Sequence, residues 1–447
     1  MNIEELINQY PRFSQHIGLD RISLILEALE LKKAPFPYIH IAGTKGKGST
    51  AVFLANIMKA AGYKAGLFTS PHLQNIHERI CIDLIPISSP RLEALYKKIH
   101  HLIQELKLFD LSYFELMTAI ALLEFHVQKT DIVILETGLG GRLDATNAVS
   151  NPALTILTNI SLDHIDRLGP DLISIATEKA AIIKNGAPII SAPQAIEVAR
   201  IIQDKALLEK VRYHCIYRDY EISSYPSSGF EKERFDVLSY ITGLPYTHLN
   251  IALAGKHQTI NATLALASAE LLTKKGFIIK EKHIRQGLMK ASWPGRFELL
   301  KVNNCMVLMD GAHNPDSSLA LVSTLKERFP EKNIHMLFAT LGTKLVEQNL
   351  KNLSTIAKSF YFTSMEGHAA VNPRELQDWT KQHLPDIPSY CESDGWKCFI
   401  RCINDRNPQK DLICITGSLY YIGQIRNKLH LPFYLENGKD IMEVSYE

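Results

Sequence analysis

The chain has 447 residues, 46% hydrophobic and 21% charged, with a formal net charge of +2. These are ordinary values for a globular protein, and the near-neutral balance without a Lys/Arg stripe speaks against a nucleic-acid footprint. The length exceeds what one hydrophobic core usually serves and predicts two domains. Seven cysteines (Cys81, Cys215, Cys305, Cys391, Cys398, Cys402, Cys414) form no C-x-x-C pair. They read as buried hydrophobes or surface thiols in a reducing compartment rather than a disulfide frame or zinc module. MNIEELINQYPRF lacks the basic and apolar regions of a signal peptide, and no apolar run approaches the roughly 18 residues of a span. A cytoplasmic protein without a membrane partner is expected.

In chain order, FPYIHIAG reads as a strand, STAVFLANIMKAAG as a helix and KAGLFTS as a strand. YFELMTAIALLEFHV is predicted helical, DIVILETG and NPALTILTN are buried strands, LISIATEKAAIIK is a helix and APIISAP a strand. Apolar strands separated by crossover-length helices imply a mostly parallel sheet covered on both faces. From about Val211 to Leu253, short Tyr- and Ser-rich runs predict an antiparallel excursion. A helical stretch follows from about Asn261 to Met289, and Pro294-Gly295 marks a break. Alternation then resumes with CMVLMDGA, NIHMLFAT, SFYFTS and DLICITGS as strands and SSLALVSTLKERF and SLYYIGQIRNKL as helices. Two α/β domains are expected, residues 1–296 and a smaller one over 297–447.

HIAGTKGKGST (His40–Thr50) lies at a predicted strand-to-helix junction, where free amides and the helix dipole favour a phosphate. Glycines let the backbone wrap the phosphate, Lys47 supplies charge, and Ser49 or Thr50 offers a hydroxyl to phosphate or Mg²⁺. The spacing is not G-x-x-x-x-G-K-[ST], and by composition a glycine turn with solvated lysines remains open. DIVILETGLGGRLDATN (Asp131–Asn147) puts Glu136 at the C-terminal end of a strand, the edge where open α/β sheets bind ligands. A carboxylate there suits Mg²⁺ beside phosphate; an ordinary strand-end acid is the plain alternative. TNISLDHIDRLG carries Asp163-His164 after the next strand, where a structural histidine is the plain alternative to a ligand. HQTIN (His257–Asn261), WPGRFE (Trp293–Glu298) and DGAHNP (Asp310–Pro315) complete the polar clusters, the last reading also as a turn with an N-capping Asn.

GTKGKGS, TSPHL, YFE, ETGLGGRLDATN, LDH, EKAAIIK, HQTINA, WPGRFE, DGAHNP and TGSLY stand in the order found in folylpolyglutamate synthases and bifunctional dihydrofolate synthases. The sequence resembles this family of the Mur ligase superfamily over nearly its whole length. Gly43–Ser49 satisfies the superfamily loop G-T-x-G-K-x-[ST], and GGRLDATN and WPGRFE are far more specific than any phosphate loop. The resemblance implies an α/β protein with a mostly parallel-sheet P-loop ATPase domain followed by a smaller, Rossmann-like glutamate-ligase domain. It implies an ATP-dependent ligase in which a substrate carboxylate takes the γ-phosphoryl group and the amine of L-glutamate attacks the acyl phosphate. The acceptor would be dihydropteroate, a reduced folate, or both.

The same resemblance places Gly43, Thr44, Gly46, Lys47, Gly48, Ser49, Thr50, Asn261, Arg296, Asp310 and His313 at ATP, in an interdomain cleft. Ser70, Glu136 and His164 would bind Mg²⁺, with two ions. Lys47, Glu136, His164 and Lys179 would serve catalysis, Lys179 matching a lysine carbamylated in the family. Phe114, Glu115, Leu143, Asp144 and Ala145 correspond to the pterin end. The implied state is a monomer with no nucleic-acid partner. Three positions depart from the pattern: Ala181 replaces the glycine of EKAGIIK, the glycine expected after ERI is absent from CIDLIPIS, and LGTKL (Leu341–Leu345) lacks the aspartates of the matching loop. A UDP-muramoyl ligase would share the loop and the metal carboxylate but not GGRLDATN with WPGRFE, and there is little room for its uridine domain before Ile39. A P-loop phosphotransferase or nucleotide-controlled binding protein would not need glutamate for ADP release.

Overall fold

The computed structural model describes residues 2–12, 18–228, 231–342, 345–367, 369–404, 406–433 and 442–445. The chain forms two compact units: Met1–Ser224, Phe235–Asn250 and Gln258–Ala291 in the first, and Tyr225–Arg234, Ile251–His257 and Ser292–Glu447 in the second.

The first unit is organised by an eight-stranded sheet of β1 (Tyr38–Ala42), β2 (Ala65–Phe68), β3 (Ile80–Ile82), β4 (Ile85–Pro86), β5 (Ile132–Glu136), β6 (Leu154–Leu157), β7 (Ile189–Ser191) and β8 (Tyr213–Cys215). The order is β4-β3-β2-β5-β1-β6-β7-β8, parallel from β2 to β8. β1 and β5 are buried at every position, as the central strands of a sheet covered on both faces must be. Chain order turns back at β1: β2 and β5 lie on one side and β6 on the other. Such a reversal opens a crevice at the carboxyl ends of the strands. The covering helices start where the sequence caps them. Ser112 accepts from Glu115 N while the Glu115 carboxylate returns to Ser112 N, starting Tyr113–Val127.

Three sequence expectations change in detail. The stretch 261–289 is two helices, Lys256–Thr273 and Glu281–Lys290, because Gly276 turns with φ +100° between them. The helix read through EKAAIIK ends at Ala180. Of the Val211–Leu253 excursion, β8 joins the parallel sheet beside β7; only β9 (Tyr220–Ser224), β10 (Glu233–Ser239) and β11 (Pro245–Ile251) form the separate three-stranded sheet.

Two departures from the family pattern have local explanations. Ala181 has φ −66° and needs no glycine. In CIDLIPIS the β3–β4 turn is made by Asp83 and Leu84 at φ +51° and +69°. Asp83 Oδ1 accepts from Ala65 N at 2.9 Å, anchoring the turn that a glycine would make without strain. Thr343 and Lys344 of LGTKL lie outside the described residues.

In the second unit, β12 (Glu298–Val302), β13 (Cys305–Met309), β14 (Asn333–Phe338), β15 (Ala357–Phe362), β16 (Ser389–Cys391), β17 (Asp411–Thr416) and β18 (Met442–Val444) form a sheet ordered β16-β15-β14-β17-β13-β12-β18. Its pairs are parallel except β12–β13, whose turn is an Asn303-Asn304 pair at positive φ. β17 returns between β13 and β14, a second reversal, with Asp310 leaving β13 and Gly417 leaving β17. Cys81, Cys305, Cys398, Cys402 and Cys414 are buried, and Cys215 and Cys391 are partly exposed; none is disulfide-bonded. No helix among the described residues is long and apolar enough to cross a membrane.

Candidate active site

Four neighbouring strands of the first sheet, β2, β5, β1 and β6, deliver the polar clusters from their carboxyl ends. β1 runs into Gly43–Gly46 and the helix Lys47–Ala60. Gly46 is the N-cap at φ +91°, and a Cβ there would stand 2.4 Å from Asn261 Oδ1; one on Gly43 would stand 1.9 Å from Thr158 Oγ1. The loop is sewn to the exit of β6. Thr44 N donates to Asn159 O at 2.7 Å, Thr44 Oγ1 donates to Ser161 O at 3.1 Å, and Lys45 pairs with Asp163 at 3.2 Å.

Two lysines meet on one carbonyl. Lys47 Nζ lies 3.2 Å and Lys179 Nζ 3.0 Å from Gly43 O, and Lys47 Nζ is 4.0 Å from Glu136 Oε1. Burial above all, with the Lys47 charge adding to it, lowers Lys179 to about 7. Glu136 is buried and its Oε2 accepts Ser70 N at 3.0 Å. On the other side of the loop, Gln258 reaches Ser49 Oγ at 3.4 Å and accepts from Asn261 at 2.9 Å. Thr50 Oγ1 is buried without a hydrogen-bond partner. His164 is exposed at φ +50°, its backbone N donating to Asp163 Oδ1 at 3.0 Å. Among the described residues no three His, Cys, Asp or Glu side chains gather as a metal cage. Glu136 with Ser70 instead fits a Mg²⁺ that keeps its waters and arrives with phosphate oxygens.

Of the five residues assigned to the heterocycle, Phe114 and Leu143 present surface, Leu143 being 37% exposed. The Phe114 ring lies 5.6 Å from Phe68 and crowds Gly138, where a Cβ would come within 2.6 Å of the ring. Ala145 is buried. Glu115 is occupied by the Ser112 cap and by Arg21 at 3.3 Å. Asp144 accepts Leu139 N at 2.9 Å and Thr146 N at 3.1 Å, and burial raises its pKa.

In the second unit, Asp310 accepts Phe297 N (2.8 Å) and Ala312 N (2.9 Å), holding the WPGRFE and DGAHNP turns together; burial raises its pKa against the pull of Arg296. His313 is exposed, with Nδ1 2.8 Å from Gly311 O. Asn314 does cap the helix Pro315–Arg328.

Sequence reasoning missed three supports. The Lys45–Asp163 pair has no local signal. Glu78, which gathers Leu73 N, Gln74 N and Asn75 N behind Ser70, is announced by the N-x-x-E capping pattern. His40, which bonds Thr146 at 2.8 Å, is visible only as an imidazole in an apolar strand.

A model described as the Mur ligase middle domain matches residues 41–269, and one described as the Mur ligase glutamate ligase domain matches residues 295–419. The dihydrofolate synthase/folylpolyglutamate synthase of Bacillus subtilis is 35% identical over 431 residues, 94% of this chain and 96% of that protein. The chain belongs to the folylpolyglutamate synthase/dihydrofolate synthase family of Mur ligases. The Escherichia coli member of the family is 33% identical over 416 residues, covering 92% of this chain and 90% of its own. The Mycobacterium tuberculosis folylpolyglutamate synthase, solved with ADP and AMPPCP, superposes with a TM-score of 0.85 at 30% identity over 95% of this chain and 97% of that one. A folylpolyglutamate synthase complex with AMPPCP and folate gives 0.80 at 28% identity, over 96% and 100%.

Proposed function

We propose that the chain is an ATP-dependent ligase that adds L-glutamate to a pteroyl acceptor, dihydropteroate, a reduced folate or both, and releases ADP and phosphate. The observation that carries this reading is the glycine loop with Lys47 and Lys179 both on Gly43 O and the buried Glu136 4.0 Å from Lys47, in a family whose named members ligate glutamate.

The amides of Gly46, Lys47, Gly48 and Ser49, at the start of the helix Lys47–Ala60, cradle the phosphates, with Gly43, Thr44, Thr50 and Asn261 shaping the loop. Lys47 screens the transferring phosphoryl group. Arg296, Asp310 and His313 belong to the nucleotide by the same family likeness. A carboxylate is a poor acyl donor, so the acceptor's carboxylate oxygen attacks the γ-phosphorus. ADP leaves, and the amine of glutamate displaces phosphate from the resulting acyl phosphate through a tetrahedral intermediate. The chain supplies alignment and charge. Mg²⁺, two ions in this reading, would be held by Glu136, Ser70 and His164 and would supply charge neutralisation of the phosphates.

Lys179, lowered by burial to about 7, holds a substantial share of its amine neutral at physiological pH. Its lone pair can add to the carbon of CO₂ and lose a proton, giving a carbamate anion where an ammonium would repel a metal. Phe114, Leu143 and Ala145 line the heterocycle's place, with Glu115 and Asp144 bracing it. The enzyme acts as a cytoplasmic monomer, a setting in which its free thiols persist.

The test is a product assay with ATP and labelled glutamate, offering dihydropteroate and tetrahydrofolate separately. Labelled product with ADP release that requires both glutamate and acceptor is expected. ADP release indifferent to glutamate would exclude a ligase.

A further inference from the structure

His40 is fully buried in the middle of β1, in an otherwise apolar part of the parallel sheet. A polar ring in such a place is retained only with a specific partner. The period of the strand puts Tyr38 and His40 on one face, and both reach the segment that follows GGRLDATN's glycines. Tyr38 OH donates to Val149 O at 2.9 Å, and His40 Nε2 lies 2.8 Å from Thr146 Oγ1. Thr146 Oγ1 in turn lies 2.5 Å from Asp144 Oδ1.

The direction of this chain follows from donor counting. Asp144 takes Thr146 N and Thr146 Oγ1 on one oxygen and Leu139 N on the other, three donors that suit the ionised carboxylate. The Thr146 hydroxyl therefore directs its only proton to Asp144 and offers His40 a lone pair. His40 must donate, which requires the tautomer protonated on Nε2. Burial, reinforced by the Lys184 ammonium, lowers the pKa of the ring and keeps it neutral. Nδ1, the bare nitrogen of that tautomer, has no hydrogen-bond partner.

We infer that His40 is a positioning residue for the pteroyl acceptor: through Thr146 it fixes Asp144 and residues 139–148 where the acceptor's heterocycle docks, and it does not act on ATP. The inference rests on the function proposed above, which puts Leu143, Asp144 and Ala145 at that heterocycle.

The experiment is steady-state kinetics with ATP and acceptor varied separately, on Thr146→Val, His40→Leu, His40→Gln and the double variant His40→Leu/Thr146→Val. Thr146→Val and His40→Leu are expected to raise the acceptor KM about ten-fold and to change the ATP KM less than about two-fold. The double variant falls no further than the worse single, because one chain has been cut twice. His40→Gln, whose amide N–H reaches the position of Nε2, recovers most of the loss. Hydrogen exchange in the substrate-free protein quickens at amides 139–148 in Thr146→Val and His40→Leu, returns towards wild type in His40→Gln, and is unchanged over 43–49.

ATP and acceptor KM rising together would overturn the inference. So would an unaltered acceptor KM in Thr146→Val, or a His40→Gln no better than His40→Leu at wild-type melting temperature. A wild-type enzyme without glutamate-dependent ADP release overturns the proposed function and the acceptor role with it; the exchange pattern then still decides whether His40 holds the segment.

Discussion

Lys47 and Lys179 share the carbonyl of Gly43, and their different burial gives them different chemistry. In the proposed function Lys47 serves the nucleotide. Replacing it with Ala should abolish glutamate ligation, a loss of at least about 100-fold in kcat/KM, since a charge aimed at the transferring group is removed; circular dichroism and melting should stay as in wild type. Lys179 answers to pH. Its pKa is 10.5 in an exposed setting and about 7 here. Between those values the unfolded chain holds more protons, so this residue's contribution to stability improves as pH rises from about 7 to about 10.5. Below pH 7 the lysine is charged in both states and the full penalty of burying it remains. Lys179→Met should therefore stabilise the protein by on the order of a few kcal/mol at pH 6 in CO₂-free buffer, with the gain fading above pH 10. Urea unfolding across that range checks both the sign and the window. His164 and Glu136, by contrast, are legible in the sequence only as residue types after strands, because the spatial relation of two side chains is a property of three dimensions that no single segment encodes.

At the scale of elements, one buried carboxylate fastens a whole sheet. Glu270, on the helix Lys256–Thr273, accepts hydroxyls from Tyr220 (2.9 Å) and Ser239 (2.8 Å) on one oxygen and from Thr242 (2.9 Å) and Tyr246 (2.8 Å) on the other. The β9–β11 sheet is thereby tied to the helix whose first turns face the phosphate loop. Glu270→Gln replaces one accepting oxygen by an amide that can only donate, leaving two hydroxyls facing a donor. A loss of about 2–4 kcal/mol is expected, against about 1 kcal/mol for Tyr246→Phe; urea midpoints at pH 7 measure both. None of this was visible in the Tyr- and Ser-rich composition of Val211–Leu253. That composition signals short strands but not their partners, so it groups β8 with the antiparallel set although its backbone pairs with β7. The central strands were legible because parallel strands buried on both faces are apolar without interruption. The break at Gly276 is masked in the sequence because the periodicity on either side of it is helical.

Across the whole molecule, the polar clusters that follow strands fall in both compact units, Lys47 and Asn261 in one and Arg296, Asp310 and His313 in the other. The sequence shows the same strand-then-polar-turn pattern in both halves of the chain. The proposed function puts both Asp310 and His313 at the nucleotide; the Asp310 carboxylate already holds two backbone amides, and His313 beside it is exposed. His313→Ala should accordingly raise the ATP KM several-fold while leaving the acceptor KM within about two-fold, a split that initial-rate kinetics resolves. Loss of both together would return His313 to the fold.

The distribution of thiols makes the unmodified chain an instrument. Five cysteines are sealed in the cores, leaving Cys215 in the first unit and Cys391 in the second within reach of solvent. A maleimide dye pair applied under native conditions should react first at these two, one in each unit. Energy transfer between the dyes then becomes a ruler that reads, without any engineered cysteine, whether nucleotide or acceptor changes the distance between the units.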